Sequence, residues 1–339
     1  MRGRRAFFSV LFALLLIAPP ALAGDVDAEI TVRPLPSFSI AEPTRMRFGA
    51  LEYVGGFEIR ADRREVAGLS GLVVSETGRE FLSLSDEGFM VRAEIERDGV
   101  GRPTGLSSAL IRRLQTSRGP LPRNKALSDS ESFDVYNDRA GRRFGVVSFE
   151  QHPAVMVGPV DADGFIGPLT AVGLPGEVRL LHPNRGLESV AALPLDSDLG
   201  RFLIFGEEAE RRATTDDQPG WVVGGKEPIA FRVHRLDGYD LTDAKIGPDG
   251  RLYVLERDAS LIGGVRCRLR AFLLADIRPG AVIDGVTLFE ANLSQEIDNM
   301  EGLAVWRADD GETRISMISD DNHAFIQRTL YLEFRLVTP

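Results

Sequence analysis

The sequence predicts an all-β fold, a β-propeller of five countable four-stranded units, and three observations carry that expectation. Five segments of the chain share one form, they recur at nearly even spacing, and no long stretch of 3.6-residue periodicity interrupts the short strands between them. Each segment sets a small or acidic residue beside an apolar strand, then a turn, then a second apolar strand that ends in acid. The segments are 68–87, 131–150, 186–208, 241–256 and 300–321. With Ser70, Glu131, Glu188, Asp243 and Glu301 taken as equivalent points, the intervals are 61, 57, 55 and 58 residues.

Every interval holds material for further strands. A third strand is expected at 90–95, 154–157, 229–233, 269–274 and 329–336, and an outer one at 106–114, 170–173 and 286–289. These pieces are short, β-branched or aromatic, and bounded by turns such as Asp163-Gly164 and Pro248-Asp249-Gly250. A four-stranded sheet repeated without helices is a propeller blade, apolar on both faces because it packs against a neighbour on either side. Closing the ring hides the sheet edges. After Asp321 only the strand at 329–336 remains, and the unassigned stretch 50–59 can complete the last blade, so the N- and C-terminal strands are expected to close the ring. The outer strands are weakly marked, and six blades also fit the pattern.

The chain opens with Arg2, Arg4 and Arg5, an apolar run over 6–18, Pro19-Pro20 and Ala21-Leu22-Ala23. That order is a secretory signal peptide, 1–23. The apolar run falls short of the roughly twenty residues a membrane-spanning helix needs, so no stable membrane insertion is expected once the leader is removed. This leaves 24–48 as an N-terminal extension and 49–337 as a single propeller domain, with a periplasmic or secreted location. Removing the three leader arginines takes the formal charge from -10 to -13. Such a field disfavours nucleic acid and draws cations toward clefts where carboxylates converge. Cys267 is the one cysteine. It reads as a packed strand residue, and a core of this size needs no disulfide. A Cys-based zinc site is excluded. The sequence has no Gly-x-Gly-x-x-Gly and no Walker loop, so no nucleotide or organic cofactor is indicated, and Gly68-Leu-Ser-Gly is one residue short of a nucleophile elbow.

The first strand of each unit should line the central channel, so Glu131, Glu188, Asp243 and Glu301 are expected to meet at its mouth, with Ser70 in the fifth position. Bare carboxylates at close range repel and raise one another's pKa, a conflict that a hard cation, basic partners or bound protons resolve. Ca²⁺, which prefers oxygen ligands, is the cation this set suits, with Glu131, Glu188, Asp243, Glu256 and Glu301 as its candidate ligands. Arg185 and Lys245 offer salt bridges instead, and with Asn322 they are the candidate substrate-binding residues. A second acidic set ends the second strands, including Glu150, Glu256 and Asp320, and hairpin geometry brings it to the same face. Glu150 or Asp320 is a candidate general base for a metal-held water, with His323 or His152 as proton carrier. Acids also cap strand ends for purely structural reasons, and only their recurrence favours chemistry. The pairs Arg63-Arg64 and Arg112-Arg113 fit either a phosphate clamp or solvent-facing positions.

The strings Gly68-Leu-Ser-Gly-Leu with Leu84-Ser-Asp-Glu-Gly, Ser130-Glu-Ser-Phe-Asp, Asn184-Arg-Gly-Leu-Glu-Ser, Thr242-Asp-Ala with Tyr253-Val-Leu-Glu-Arg-Asp, and Asn299-Met-Glu-Gly-Leu with Ser319-Asp-Asp-Asn resemble the bacterial phytase-like proteins labelled as having esterase-like activity of phytase. The resemblance covers about 49–336. It implies an exported propeller distantly related to calcium-dependent phosphomonoesterases, and it points to Glu131, Glu188, Asp243, Glu256, Glu301, Asp320 and Asn322. The leading expectation is a metal-assisted hydrolase acting on a small phosphate ester or carboxylic ester. A non-catalytic ligand- or partner-binding propeller with a structural cation, and a sugar- or lactone-processing propeller, are the alternatives.

Overall fold

Five antiparallel sheets form the blades of a β-propeller in the computed structural model, which describes residues 25–181, 186–207, 216–260 and 264–337. The expected leader lies outside the described residues, as does Arg185. Blade I starts at Leu69–Val74, blade II at Ser130–Asn137, blade III at Leu187–Ala192, blade IV at Asp240–Ile246 and blade V at Asn299–Arg307. Each of these first strands touches the first strands of both neighbouring blades, so they make the inner wall of the ring. Among the described residues helix is confined to Lys125–Ser128 and three 3-10 turns.

Alternation in the strands buries both faces of each blade, and five apolar clusters result, one at each blade junction. Leu84, Met90, Phe133 and Val147 join blades I and II, and Val146, Val155, Val190 and Ile204 join II and III. Phe205, Phe231, Leu252 and Phe272 fill the next junction. Tyr253, Cys267, Phe289, Met317 and Phe334 follow, and Leu72, Phe81, Phe57 and Tyr331 complete the ring. Cys267 is a free, fully buried core thiol, as its strand pattern predicts, and burial pushes it up to about 12.

Closure is the expected one. Leu51–Ala61 pairs antiparallel with Thr329–Leu336 and forms the fourth strand of blade V, where Phe57 stacks on Tyr331. The N-terminal segment adds more: Ile30–Pro34 extends blade V beyond Leu51–Ala61, while Val26–Ala28 pairs with Ala109–Arg113 at the outer edge of blade I. A few residues of chain thus span the seam between first and last blades. Arg97 of blade I reinforces it with a two-pronged bond to the buried Glu333 of blade V, at 2.9 and 2.8 Å. The third strand of blade III is Gln218–Val223, and the expected 229–233 is its fourth. Pro219 and Gly220 disguise that strand as a turn. Pro219 sits beyond the last pair with the second strand, Phe205 to Gly220, where its missing N–H costs nothing, and the Phe231 ring occupies the space a Cβ on Gly220 would need.

Candidate functional site

The inner strands share one irregularity. Each carries a β-bulge near its start, between Leu69 and Gly71, Ser130 and Ser132, Leu187 and Ser189, Leu241 and Asp243, and Met300 and Gly302. A bulge leaves one residue unpaired and re-aims its side chain. The bulged residues are Ser70, Glu131, Glu188, Thr242 and Glu301, so the fifth equivalent point is Thr242 rather than Asp243. The same register places Asp86, Glu150, Glu207, Arg257 and Asp320 at matching positions at or just past the ends of the second-strand pairing with the inner strands, and Arg257 rather than Glu256 belongs to that series. Both sets reach one mouth of the channel.

Blades II and III bring their acids closest together. Carboxylate oxygens of Asp129, Glu131 and Glu150 lie within 4.8 Å of one another, and so do those of Glu150, Glu188 and Glu207. Glu150 belongs to both triads. Burial, then Glu188 and Asp129, holds Glu131 well above the usual carboxylate range, and burial with Glu207 and Glu150 does the same to Glu188. Burial, then Asp129, pushes Glu150 to about 8. Asp129 is only 2 % exposed, yet neither of its carboxylate oxygens accepts a hydrogen bond; the Lys125 ammonium approaches one of them to 3.4 Å. Carboxylates crowded at this range are a costly arrangement as bare charges, and a cation with all-oxygen ligands is a chemistry that relieves it. Asp129, Glu131, Glu150, Glu188 and Glu207 therefore fit a hard divalent cation.

The expected ring of four acids is broken by blade IV. Arg257 stands where the other blades carry an acid and pairs with Glu301 at 2.5 Å, while Asn299 donates to the same Glu301 oxygen at 2.7 Å. Glu301 is thereby paired across blades IV and V and belongs to neither triad, though its charge still acts on Glu131 and Glu188. Asp243 lies deeper and is fully enclosed: it accepts from Ser132, Ser189 and the Leu303 amide at 2.7, 3.0 and 2.8 Å, and pairs with Lys245 at 2.9 Å. With every lone-pair direction taken, Asp243 is a brace across blades II, III and V, and Lys245, its buried partner, is withdrawn from substrate. Glu256 also departs from the expected ligand set. It is buried against Arg268 and Arg270, whose Nε atoms donate to it at 2.9 and 3.0 Å, and those arginines reach on to Asp237 and Asp284.

The catalytic candidates separate as well. Glu150 sits at the centre of the triads. Asp320 is pushed to about 9, by burial first and then by Glu301 and Asp86. It accepts the Asn322 amide at 2.6 Å, which fixes Asn322 in a left-handed turn (φ 47°) shared with His323 (φ 51°). The Nε2 atom of His323 lies 3.8 Å from Asp86 and 3.9 Å from Glu87, at the blade I rim and not over the triads. Asp129 escapes a reading of the strand pattern because it precedes the strand. Its signal is the spacing two residues before the bulge, shared with Asp240 and Asn299. The arginine pairs split: Arg112 is spent on Asp25, Asp161 and Asp163 at the outer rim, whereas Arg63, Arg64 and Arg113 face cavities beside the mouth.

No helix among the described residues is long and apolar enough to cross a membrane. Two solved glucose dehydrogenase structures are similar to this chain at 11 % and 10 % identity with TM-scores of 0.42 and 0.40, covering 83 % and 85 % of this chain and 98 % and 99 % of theirs. No curated protein matches the sequence. The Phytase-like model, described as esterase-like activity of phytase, matches residues 64–323, a span that includes all five bulged inner strands and both acidic series, and the chain belongs to that family.

Proposed function

We propose that this protein is an exported, metal-assisted hydrolase of phosphate or carboxylic esters whose cation, Ca²⁺ by its all-oxygen ligand set, is held by Asp129, Glu131, Glu150, Glu188 and Glu207. The observation that carries this reading is the convergence of carboxylates from blades II and III into two triads that share Glu150, with the Lys125 ammonium 3.4 Å from Asp129 as their near cation. When bound, the cation neutralises the triads and polarises a substrate oxygen. The chain supplies the rest. Asp320, whose pKa burial and then Glu301 raise to about 9, is on this reading the group that protonates a leaving alkoxide. Glu150, shared by both triads, would be the carboxylate that links the two halves of the ligand set. Arg257 pairs with Glu301 and brings its positive charge to bear on Glu188 and Glu207 as well.

A panel of chromogenic phosphate and carboxylic esters, assayed after EDTA treatment and again with calcium restored, tests this. Turnover should vanish and return, and Glu150→Gln should weaken calcium binding by at least about tenfold, roughly 1.4 kcal/mol. Activity indifferent to EDTA and calcium would overturn the metal mechanism. Calcium binding that raises the melting temperature without turnover of any ester would favour a structural cation in a binding module.

A further inference from the structure

The end of the channel away from the acidic mouth holds a cavity of about 690 Å³ that the proposed reaction does not use. Each blade gives its wall one half-buried apolar side chain from the far end of its inner strand: Val73, Val135, Ala192, Ile246 and Val305. Along the inner strands the bulged residues come first, then Ser132, Ser189, Asp243 and Leu303, all fully buried, and only then these five. That buried layer separates the cavity from the triads. The floor is charged. Asp134 and Lys245 line it, and the Lys245 ammonium lies 2.9 and 3.0 Å from the two oxygens of Asp243. The Asp134 carboxylate accepts the Val135 and Ala192 amides at 2.8 and 2.9 Å, one on each oxygen. A carboxylate oxygen can accept twice, so each keeps a free acceptor direction.

The single Lys245 ammonium serves both carboxylates: it pairs with Asp243, and its charge also acts on Asp134. One negative charge is therefore left over at the floor. Burial, with Asp243 adding to it, raises Asp134 above the usual carboxylate range against the pull of Lys245 and the two amides. At the rim the acids Glu76 and Asp309 outnumber Arg307. Apolar walls over a carboxylate short of counter-charge select a ligand of the reverse pattern, an apolar body that ends in one positive charge. We propose that this cavity binds an organic ammonium ion, its alkyl or aryl body against the five apolar side chains and its cationic head on Asp134. The volume lies within the range of about 300–1,000 Å³ usual for small-molecule sites. A neutral molecule of the same shape leaves the surplus charge unanswered, and an anion is repelled by it. No residue of this cavity belongs to either triad, so the site stands independently of the proposed cation.

The test is calorimetric titration of the purified mature protein with phenethylammonium, and with phenethyl alcohol and phenylacetate as its neutral and anionic counterparts. Saturable binding is expected for the ammonium, binding about tenfold weaker or more for the alcohol, and none for phenylacetate. Asp134→Asn should weaken the ammonium about tenfold or more and bring it level with the alcohol. Ala192→Met keeps Asp134 and the amide it accepts but fills the wall, and should weaken both ligands. Glu150→Gln, at the acidic mouth, should leave the affinity for the ammonium within about twofold. If Asp134→Asn does not melt cooperatively, Ala192→Met and the comparison of ammonium with alcohol decide the matter. Absent binding, equal affinity for ammonium and alcohol, or binding that Glu150→Gln abolishes and Asp134→Asn spares, overturns the proposal. So does a dimer in light scattering that Ala192→Met dissociates, because a second copy of the chain then fills the cavity. Failure of calcium to bind would sink the hydrolase reading and leave this site standing.

Discussion

At the scale of single residues, the acidic mouth behaves as a proton store in the absence of metal. Glu150 is raised from 4.5 to about 8 and Asp320 from 3.8 to about 9, burial being the first cause in both. Within those windows the folded chain keeps protons that the unfolded chain has released. Stability of the metal-free protein should therefore fall as pH rises through them. Melting curves in EDTA should drop by ~5 °C or more between mildly acidic and mildly alkaline pH, and calcium should remove most of the drop. A flat EDTA profile would contradict the crowding. Much of this is legible in the recurrence of acids at near-even intervals, which singles out Glu131, Glu188 and Glu150. Asp129 is less so, because it precedes the strand and its spacing before the bulge shows only once the register of the inner strands is known.

At the scale of elements, the bulge sorts neighbouring polar residues into opposite roles. Thr242 and Asp243 are adjacent in sequence, and a one-residue choice between them cannot be made from pattern alone, since a shift of one residue exchanges the faces of a strand. The pairings of Leu241 with Glu256 and Asp243 with Leu255 settle it. Thr242 takes the bulged place and donates to the Met300 carbonyl at 3.2 Å, while Asp243 turns inward to Lys245 and the serines of blades II and III. Asp243→Ala would strand a buried ammonium, and urea unfolding should show a loss of about 3–5 kcal/mol. Its calcium affinity should change little, which separates bracing from ligation. The same logic explains Glu256: its strand position looks equivalent to the other acids, but Arg268 and Arg270, brought opposite by a hairpin partner, claim it.

At the scale of the whole molecule, the ring is held by apolar junctions between blades and by one seam made from both ends of the chain. The propeller and the terminal closure are readable because the strand pairs recur and the chain runs out of strands at the last blade. The extra strands at Val26–Ala28 and Ile30–Pro34 are not, since three to five residues carry too little periodicity to register. A truncation beginning at Leu35 should stay monomeric with a lowered melting temperature. One beginning at Asp62 removes the partner of Thr329–Leu336 and should aggregate by size-exclusion chromatography with light scattering, because it bares a long apolar edge. A monomeric, cooperatively melting protein from the shorter truncated chain would show that the seam is dispensable.

That seam also imposes an order of events on synthesis. Leu51–Ala61 leaves the ribosome long before Thr329–Leu336 exists, and at ~5–20 residues per second the wait is on the order of 15–50 s. Throughout it the nascent chain carries an unmated strand and an open arc of blades, so the final blade can form only once Thr329–Leu336 has emerged. A holding chaperone, or passage across a membrane before folding, would protect that interval, and slowing synthesis between the two strands should delay native structure in step.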